Sequence, residues 1–334
     1  HGGRDQLKLE SIPIPEPGYG EVRVKVHACA LNWLDVGIRM GPKFGEIPLP
    51  LIGGGDIAGT VDAVGGGVTN ARPGDEVMVY PLVTCGVCEF CRLGEPTTCP
   101  EHQIIGEHIN GGMAEYTIVP AMNLIPKPPS LSYEEAASLP IVLMTAWHML
   151  IHVGRLRVGE WVCIPGAGGG VASVSIQIAK ACGAQVITTT STEAKMAAAK
   201  ALGADHVFNY RKDEWVQRVL EVTGGRGVDI VQNIVGASTW ADSIRALARN
   251  GRMVVVGSHA GTSFELSIPQ IYHKQLSILG ANGGTYHDLT TALQLVESGR
   301  VKPVVDTVLP LADIQEGHRL LEDRDHFGKV IITP

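Results

Sequence analysis

Residues 161–195 read WVCIPGAGGGVASVSIQIAKACGAQVITTTSTEAK, and the pattern of this stretch decides the fold. A short apolar run at Trp161–Pro165 indicates a strand, and the glycine-rich turn after it leads into a segment with apolar residues at helical spacing. A second apolar strand follows at Gln185–Thr190. Parallel neighbouring strands need a long crossover, usually a helix, so the order strand, helix, strand predicts a parallel sheet.

The same alternation continues along the chain and predicts a doubly wound α/β domain over residues 143–282. The further strands and helices that we expect there alternate in the order 193–202 (helix), 205–208 (strand), 215–222 (helix), 229–235 (strand), 241–248 (helix), 253–257 (strand) and 275–280 (strand).

Residues 1–142 have a different character, with short strands separated by glycine and proline. Glu21–Ala30 alternates apolar and polar side chains and predicts a half-buried strand, and two more strands are expected at 58–64 and 76–80. This part of the chain is predicted to be an irregular β-barrel. Residues 283–334 regain the mixed character and are expected to return to the first domain, which would make it discontinuous.

Composition and charge exclude several classes of protein. The 334 residues are 45% hydrophobic and 18% charged, which is typical of a folded globular chain. A net charge of -7 without a basic run argues against a nucleic-acid partner. No apolar stretch approaches the roughly 20 residues that span a membrane, and no signal segment opens the sequence. We therefore expect a cytoplasmic protein with a small-molecule substrate.

Four of the seven cysteines lie close together in the run CGVCEFCRLGEPTTC: Cys85, Cys88, Cys91 and Cys99. Four thiolates from one short excursion can form a closed tetrahedral zinc site, with no position left open for a substrate. We therefore predict one structural zinc ion per subunit in a lobe near residues 85–99. An iron–sulfur cluster is the remaining alternative.

The turn GAGGGVA at residues 166–172 is the candidate cofactor site, with Gly166, Gly168, Gly169, Gly170 and Val171 as its binding residues. Glycines allow a tight turn and let a pyrophosphate approach the amides at the start of the following helix. The motif gains weight from its place between a strand and a helix, with a second strand about 20 residues later. A purely structural glycine turn is the alternative.

The end of the second strand indicates which dinucleotide binds. The segment TTTSTEAK lacks an acidic residue at the position where NAD sites hold the ribose hydroxyls, and Thr190, Ser191 and Lys195 offer hydroxyls and a cation instead. We therefore predict NADPH as the cofactor, with NADH as a possible substitute. Alternatively, Thr192 caps a solvated helix and Lys195 is merely exposed.

These residues together resemble the medium-chain dehydrogenase/reductase family, which includes zinc alcohol dehydrogenases and quinone oxidoreductases. The resemblance covers nearly the whole chain and includes ALNWLDV (30–36), PGDEV (73–77), GGMAEY (111–116), MTAW (144–147), KALGAD (200–205), NY (209–210), TGGRGVDIV (223–231) and FGKVII (327–332). It implies a Rossmann cofactor domain and a discontinuous GroES-like catalytic domain, and it adds Tyr210 and Gly257 to the cofactor-binding candidates. The sequence begins inside the family pattern, so an initial strand is expected to precede it.

The resemblance also implies where a catalytic zinc ion would bind. The three ligand positions of the alcohol dehydrogenase branch fall on Asn32, Gly55 and Ile141, none of which is a zinc ligand. Asp35 and Asp56 remain beside them, but two carboxylates without imidazole or thiolate make a poor zinc site. No catalytic zinc is therefore expected.

His148 and His152 have helical i, i+4 spacing, but they flank Met149, Leu150 and Ile151. We interpret them as core histidines and not as metal ligands.

Asn32 resembles the NxxD pattern of the zinc-free quinone oxidoreductases, where the amide belongs to the substrate pocket. This chain departs from that branch because it keeps the four-cysteine lobe, and Gly37 stands where an aromatic residue is common. Asn32 and Thr145 are the candidate hydrogen-bond donors to the reacting oxygen, and Arg39 is a third. Each also has a structural alternative: Asn32 as a backbone cap and Thr145 as a helix-start hydroxyl.

The predicted activity is transfer of hydride to a quinone, an enone or a related activated carbonyl compound. Two alternatives stay open: an alcohol or aldehyde oxidoreductase, and a non-enzymatic NADPH-binding protein like the lens zeta-crystallins of this family. The strand at 276–280, at the expected edge of the cofactor sheet, predicts a homodimer, or a dimer of such dimers, through pairing with its symmetry mate.

Overall fold

The computed structural model describes residues 1–41 and 46–334. Contacts between Cα atoms divide the chain into two compact units, one formed by His1–Ile141 with Pro303–Pro334 and the other by Val142–Lys302. The chain thus returns to the first unit about 20 residues later than the boundary at 283 drawn from the sequence. The helix Tyr286–Glu297 consequently belongs to the second unit.

The strands of the described residues, in chain order, are β1 Glu21–Ala30, β2 Asp56–Val64, β3 Glu76–Val79, β4 Leu82–Val83, β5 Gln103–Ile104, β6 Tyr116–Pro120, β7 Leu124–Pro126, β8 Trp161–Pro165, β9 Gln185–Thr190, β10 His206–Asn209, β11 Val228–Asn233, β12 Leu247–Val255, β13 Ser277–Gly280, β14 Val305–Pro310 and β15 Lys329–Thr333.

The α-helices are α1 Trp33–Met40, α2 Glu89–Arg92, α3 Tyr133–Ala137, α4 Pro140–Trp147, α5 Gly170–Ala181, α6 Glu193–Ala201, α7 Trp215–Val222, α8 Trp240–Ala246, α9 Ile268–Lys274, α10 Tyr286–Glu297 and α11 Ile314–Glu322. A π-helical turn, His148–Val153, follows α4 directly. Within the described ranges, no helix combines the length and the hydropathy needed to cross a membrane.

The first unit is built on a seven-stranded sheet in which β1 is the central element. The strand order is β14-β15-β1-β2-β3-β7, and β6 also pairs with β1. The alternation predicted for β1 is confirmed, because Val22, Val24, Val26 and Ala28 are buried. The three valines pack with residues of β2 and β3 and of the segment after β6 in one hydrophobic core cluster of this unit.

The second unit contains a six-stranded sheet in the order β10-β9-β8-β11-β12-β13, with every neighbouring pair parallel. This is the strand order of dinucleotide-binding doubly wound sheets, which confirms the predicted fold class. In such sheets ligands bind at the carboxyl ends of the strands, where the strand order reverses between β8 and β11. The predicted edge position of the strand near residue 280 is also confirmed, since β13 is terminal in the order.

One strand begins earlier than its sequence indicated. We expected a strand at 253–257, but β12 already starts at Leu247. The sequence predicted a helix at 241–248, but α8 ends at Ala246, and Asn250 within the strand adopts a left-handed conformation with φ 59°. Pairing with β11 is interrupted there and resumes at Arg252. A local kink therefore divides β12, and the sequence indicated only the part of the strand that follows the kink.

Candidate active site and metal centres

The four cysteines of the lobe converge on one point. All four sulfur atoms lie within 4.8 Å of one another, with Sγ–Sγ distances of 3.6 Å for Cys85–Cys99 and 4.0 Å for Cys85–Cys91. A tetrahedral zinc ion with Zn–S bonds of about 2.3 Å needs sulfurs about 3.8 Å apart. The donor set therefore lies close to the spacing that a tetrahedral zinc ion requires.

Backbone amides of this lobe donate hydrogen bonds that stabilise the thiolate form of its cysteines. The Cys88 amide donates to Cys85 Sγ and the Cys91 amide donates to Cys88 Sγ, at 3.4 and 3.5 Å. Hydrogen bonds from the backbone of Val87 and Cys88 lower the pKa of Cys85 to about 7. Because only a thiolate binds zinc, this loop favours the ligand form of Cys85 near neutral pH.

The glycine-rich turn leaves the start of α5 open. Gly166 has φ 84°, a backbone conformation that residues with a side chain rarely adopt. Gly169 is the N-cap residue of α5 and supplies no side-chain cap, and nothing lies within 4 Å of the place where its Cβ would be. The first amides of α5, at Gly170 and Val171, thus begin a helix that no side chain caps, and Gly168 lies in the same turn.

The predicted second-strand residues take different positions at the end of β9. Thr190 is almost fully buried, whereas Ser191 and Lys195 are partly exposed. Thr192 accepts a hydrogen bond from the Lys195 amide at 3.3 Å and caps α6, as the structural alternative stated. That hydroxyl is therefore already occupied, which leaves Ser191 and Lys195 as the accessible groups at this strand end.

The acidic residue of this segment, Glu193, lies in the first turn of α6. Glu193 is 74% exposed and pairs with Lys212 at 3.1 Å. Tyr210 follows β10 and is 39% exposed, and its amide donates to Thr190 O at 3.0 Å. Gly257 follows β12 with φ 82°. These residues lie after the carboxyl ends of β9, β10 and β12, the edge at which parallel sheets bind dinucleotides.

Asn32 belongs to a buried polar cluster that the sequence did not reveal. Asn32 Nδ2 donates to Asp56 Oδ2 at 2.8 Å, and Lys329 Nζ donates to both Asn32 Oδ1, at 2.6 Å, and Asp56 Oδ2, at 2.8 Å. The Ile141 amide donates to the other oxygen of Asp56 at 2.6 Å. Asp56 and Lys329 are almost fully buried. The cluster is thus a desolvated ion pair bridged by one amide.

Asp35 lies beside this cluster, and its carboxylate accepts hydrogen bonds from backbone amides. It accepts from the amides of Asn32, at 2.7 Å, and Gly54, at 3.0 Å, and so fixes the start of α1. Burial raises the pKa of Asp35 to about 6, although these two hydrogen bonds and the Lys329 charge act in the opposite direction. Burial of Asp35 therefore favours its protonated form, and the two hydrogen bonds make it a structural group at the start of α1.

Gly55 and Ile141 have no capacity to bind a metal, and Gly55 has no space to gain one. A Cβ added at Gly55 would lie 2.7 Å from the backbone oxygen of Ile105 and 3.3 Å from Ile141 Cδ1. Any side chain at this position would require the backbone to move. The packing around Gly55 is thus built for a residue without a side chain.

The other two catalytic candidates occupy well-packed positions. Thr145 is buried in the last part of α4, so it is not the helix-start hydroxyl of the structural alternative. Arg39 lies two turns beyond Asn32 on α1 and forms an ion pair with Glu322 at the end of α11. Nearby Arg39 and Arg4 assist burial in lowering the pKa of His318 to about 4, which keeps this imidazole neutral.

A second cluster of metal-ligating side chains lies in the second unit. His148 Nδ1 lies 2.8 Å from Asp288 Oδ2, and His152 Nδ1 lies 3.4 Å from Asp288 Oδ1. The sequence drew attention to the two histidines but not to Asp288, which is 140 residues from His148. Burial opposes the ionised form of Asp288, but hydrogen bonds from His148 and Thr285 prevail and lower its pKa.

Comparison with known proteins agrees with this architecture. The family model described as "Alcohol dehydrogenase GroES-like domain" matches residues 18–129, and the model described as "Zinc-binding dehydrogenase" matches residues 170–298. Fold and matched domains together define a two-domain oxidoreductase that uses a nicotinamide dinucleotide. The chain belongs to the medium-chain dehydrogenase/reductase family, the superfamily of zinc-type alcohol dehydrogenases.

Relatives within this family have different names. An acryloyl-coenzyme A reductase of Sulfurisphaera tokodaii is 30% identical, covering 100% of this chain and 98% of that protein. A quinone oxidoreductase of Rattus norvegicus is 30% identical over 99% of this chain and 94% of its own length. A solved structure of an NAD-dependent alcohol dehydrogenase is 46% identical with a TM-score of 0.94, covering 100% of this chain and 97% of that chain.

Proposed function

We propose that this protein reduces a quinone, an enone or a related activated carbonyl compound with NADPH and without a catalytic zinc ion. The observation that carries this proposal is the packing at the three positions where the family's catalytic zinc ligands are expected. Asn32 is hydrogen-bonded to Asp56 and Lys329, Gly55 has no room for a side chain, and Ile141 is aliphatic. One substitution could be compensated, but three leave no ligand for the metal.

The chemistry of the substrate follows from this loss. Removing a proton from a simple alcohol is difficult near neutral pH unless a metal ion lowers the pKa, as zinc lowers that of water from 15.7 to about 7. Reduction of a quinone or an enone produces a delocalised and much less basic oxyanion. Hydrogen-bond donors in a fixed position can stabilise such an anion alone.

Asn32 is the proposed donor because one of its amide protons is held loosely. Asn32 Nδ2 donates to Asp56 at 2.8 Å, whereas its second contact, to Ala30 O, is long at 3.4 Å. An oxyanion that approaches this proton would therefore replace only a weak contact, to Ala30 O. Lys329 fixes the orientation of the amide by donating a hydrogen bond to its oxygen. Thr145 and Arg39 remain proposed donors, although Arg39 already pairs with Glu322.

The cofactor is proposed to be NADPH, held by the turn Gly166–Gly170 and by Ser191 and Lys195. Bound NADPH supplies the hydride. The open start of α5 suits the pyrophosphate, and Lys195 is the cation near the strand end that suits a 2′-phosphate.

The four-cysteine lobe is proposed to hold one structural zinc ion, since four thiolates leave it no open position. The cysteines of the described residues form no disulfide, which is consistent with a reducing compartment such as the cytoplasm.

A panel of substrates tests this proposal. With NADPH, reduction of a simple quinone and of an enone should be measurable, whereas oxidation of short alcohols with NADP+ should be slow or absent. Asn32→Ala should lower kcat about tenfold or more and leave the affinity for NADPH nearly unchanged, because the amide is proposed to act on the oxyanion. An unchanged kcat would assign Asn32 to the structural role alone.

The solved structure at 46% identity favours a second candidate, an alcohol or aldehyde oxidoreductase. The same panel separates the two, because that activity would give substantial turnover of simple alcohols. A protein that binds NADPH but reduces none of these compounds would instead support the non-enzymatic alternative.

A further inference from the structure

His148, His152 and Asp288 form a compact group of three ligand-type side chains in the second unit. Their ligand atoms all lie within 4.8 Å of one another. His148 and Asp288 are almost fully buried, whereas the side chain of His152 is about one third exposed. The group therefore has a closed interior side and one side that solvent can reach.

The local fold explains why these side chains meet. The chain leaves α4 in a π-helical turn, His148–Val153, in which the Gly154 amide bonds to the oxygen of Met149, five residues earlier. Residues four apart lie on the same face of such a turn, as they do in an α-helix. The rings of His148 and His152 consequently lie 4.6 Å apart and both face Asp288.

Asp288 is held in place by the start of α10. Thr285 and Asp288 form a reciprocal capping box: the Thr285 amide donates to Asp288 Oδ2 at 2.8 Å, and the Asp288 amide donates to Thr285 Oγ1 at 2.9 Å. This outer contact fixes the carboxylate with one oxygen toward each histidine. Contacts of this kind orient the ligands of metal sites.

We propose that His148, His152 and Asp288 bind a divalent transition-metal ion such as zinc, cobalt or nickel. An ion with bonds of about 2.1 Å places its ligand atoms about 3.0–3.5 Å apart. The nitrogen–oxygen distances of 2.8 and 3.4 Å come within a few tenths of an ångström of that range. Two imidazoles and one carboxylate are the donor set that these metals accept, and water can complete the coordination on the exposed side of His152.

The ion would link two elements that are far apart in the chain, since residues 154–285 lie between them. The π-helical turn carries two of the ligands and the start of α10 carries the third. With three protein ligands this site should exchange its metal more readily than the four-cysteine lobe. It is independent of the proposed reaction, since none of its residues is a candidate in catalysis or cofactor binding.

Cobalt binding to the zinc-loaded enzyme tests the proposal. Protein carrying one zinc ion per subunit, freed of loosely held metal by brief chelation, is titrated with CoCl₂ in a calorimeter and followed by its visible spectrum. One cobalt ion per subunit should bind at micromolar concentration, with weak bands of a nitrogen and oxygen environment and without thiolate charge transfer. His152→Gln, on the exposed side and so compatible with folding, should weaken binding at least tenfold.

The matched control is His287→Gln, which changes an exposed histidine next to Asp288 and should leave the affinity for cobalt unchanged. Asp288→Asn provides a second loss of affinity through another ligand. Cobalt uptake that needs millimolar concentrations would overturn the proposal, and so would equal affinity in wild type and His152→Gln. Weakening by His287→Gln as large as that by His152→Gln would contradict the ligand assignment.

Discussion

Replacing Lys329 by methionine removes one partner of the buried pair and leaves the carboxylate of Asp56 without its cation. Lys329 Nζ lies 2.8 Å from Asp56 Oδ2, and the two side chains are 4% and 0% exposed. Breaking such a buried pair by removing one charge destabilises by about 3–5 kcal/mol, since the remaining charge is desolvated and unpaired. For a unit of this size we expect Tm to fall by roughly 6–20 °C.

The double variant Lys329→Met with Asp56→Asn isolates the charge. An asparagine oxygen at position 56 can still accept from the Ile141 amide, and no orphan carboxylate remains. We therefore expect the double variant to recover at least half of the loss, and the two changes to be strongly non-additive. Urea unfolding at pH 7 followed by circular dichroism measures all of these differences.

The control is Lys212→Met, which breaks the exposed pair with Glu193 by the same change of side chain. Because both partners are mostly exposed, its effect should stay within about 1 kcal/mol and should shrink with added salt. If Lys329→Met were no more destabilising than Lys212→Met, the cluster around Asn32 would be hydrated and the reasoning from burial would be wrong.

Three further predictions concern the cofactor, pH and assembly. Lys195→Ala should weaken NADPH binding about tenfold more than NADH binding, as judged by fluorescence titration, whereas Lys200→Ala on the same helix should not; equal losses for both cofactors would remove Lys195 from recognition. The folded-state pKa of Asp35 is raised from 3.8 to about 6, so its stabilising protonated form is complete below pH 4 and is lost as pH rises through 6. Relative to Asp35→Asn, the wild type should therefore lose about 3 kcal/mol of unfolding free energy over that window, and parallel curves would contradict the assignment. The edge position of Ser277–Gly280 supports the proposed homodimer. Light scattering at micromolar concentration should detect this dimer, and Leu279→Lys should weaken it. A monomeric wild type would refute the prediction, whereas a tetramer of such dimers would not.

The second unit could be predicted from sequence because its signals are local. Most strands of the parallel sheet are short apolar runs, and the helices between β8 and β11 follow their strands within a few residues, so β8, β9 and α7 begin and end at the expected residues. The four cysteines are likewise contained in one 15-residue run. Proximity in the chain and proximity in space coincide for these features.

The polar clusters could not be predicted, because their members are far apart in the chain. Lys329 lies 297 residues from Asn32 and 273 from Asp56, and nothing in the FGKVII motif shows that its lysine is buried. The same holds for Asp288, whose spacing from His148 carries no periodic signal. Position 55 is similar: the sequence shows a glycine, but only the structure shows that a side chain has no room there.

The central claim is that hydride transfer proceeds without a catalytic zinc ion, and the most direct test compares two reactions of one preparation. Enzyme shown by metal analysis to carry one zinc ion per subunit is assayed for enone reduction with NADPH and for alcohol oxidation with NADP+, with and without added zinc. We expect enone reduction at a rate that added zinc does not raise, and alcohol oxidation that stays slow or absent. Alcohol oxidation that appears only with a second zinc ion, and that persists in His152→Gln, would contradict the claim, since that ion would then bind outside both clusters identified in the structure.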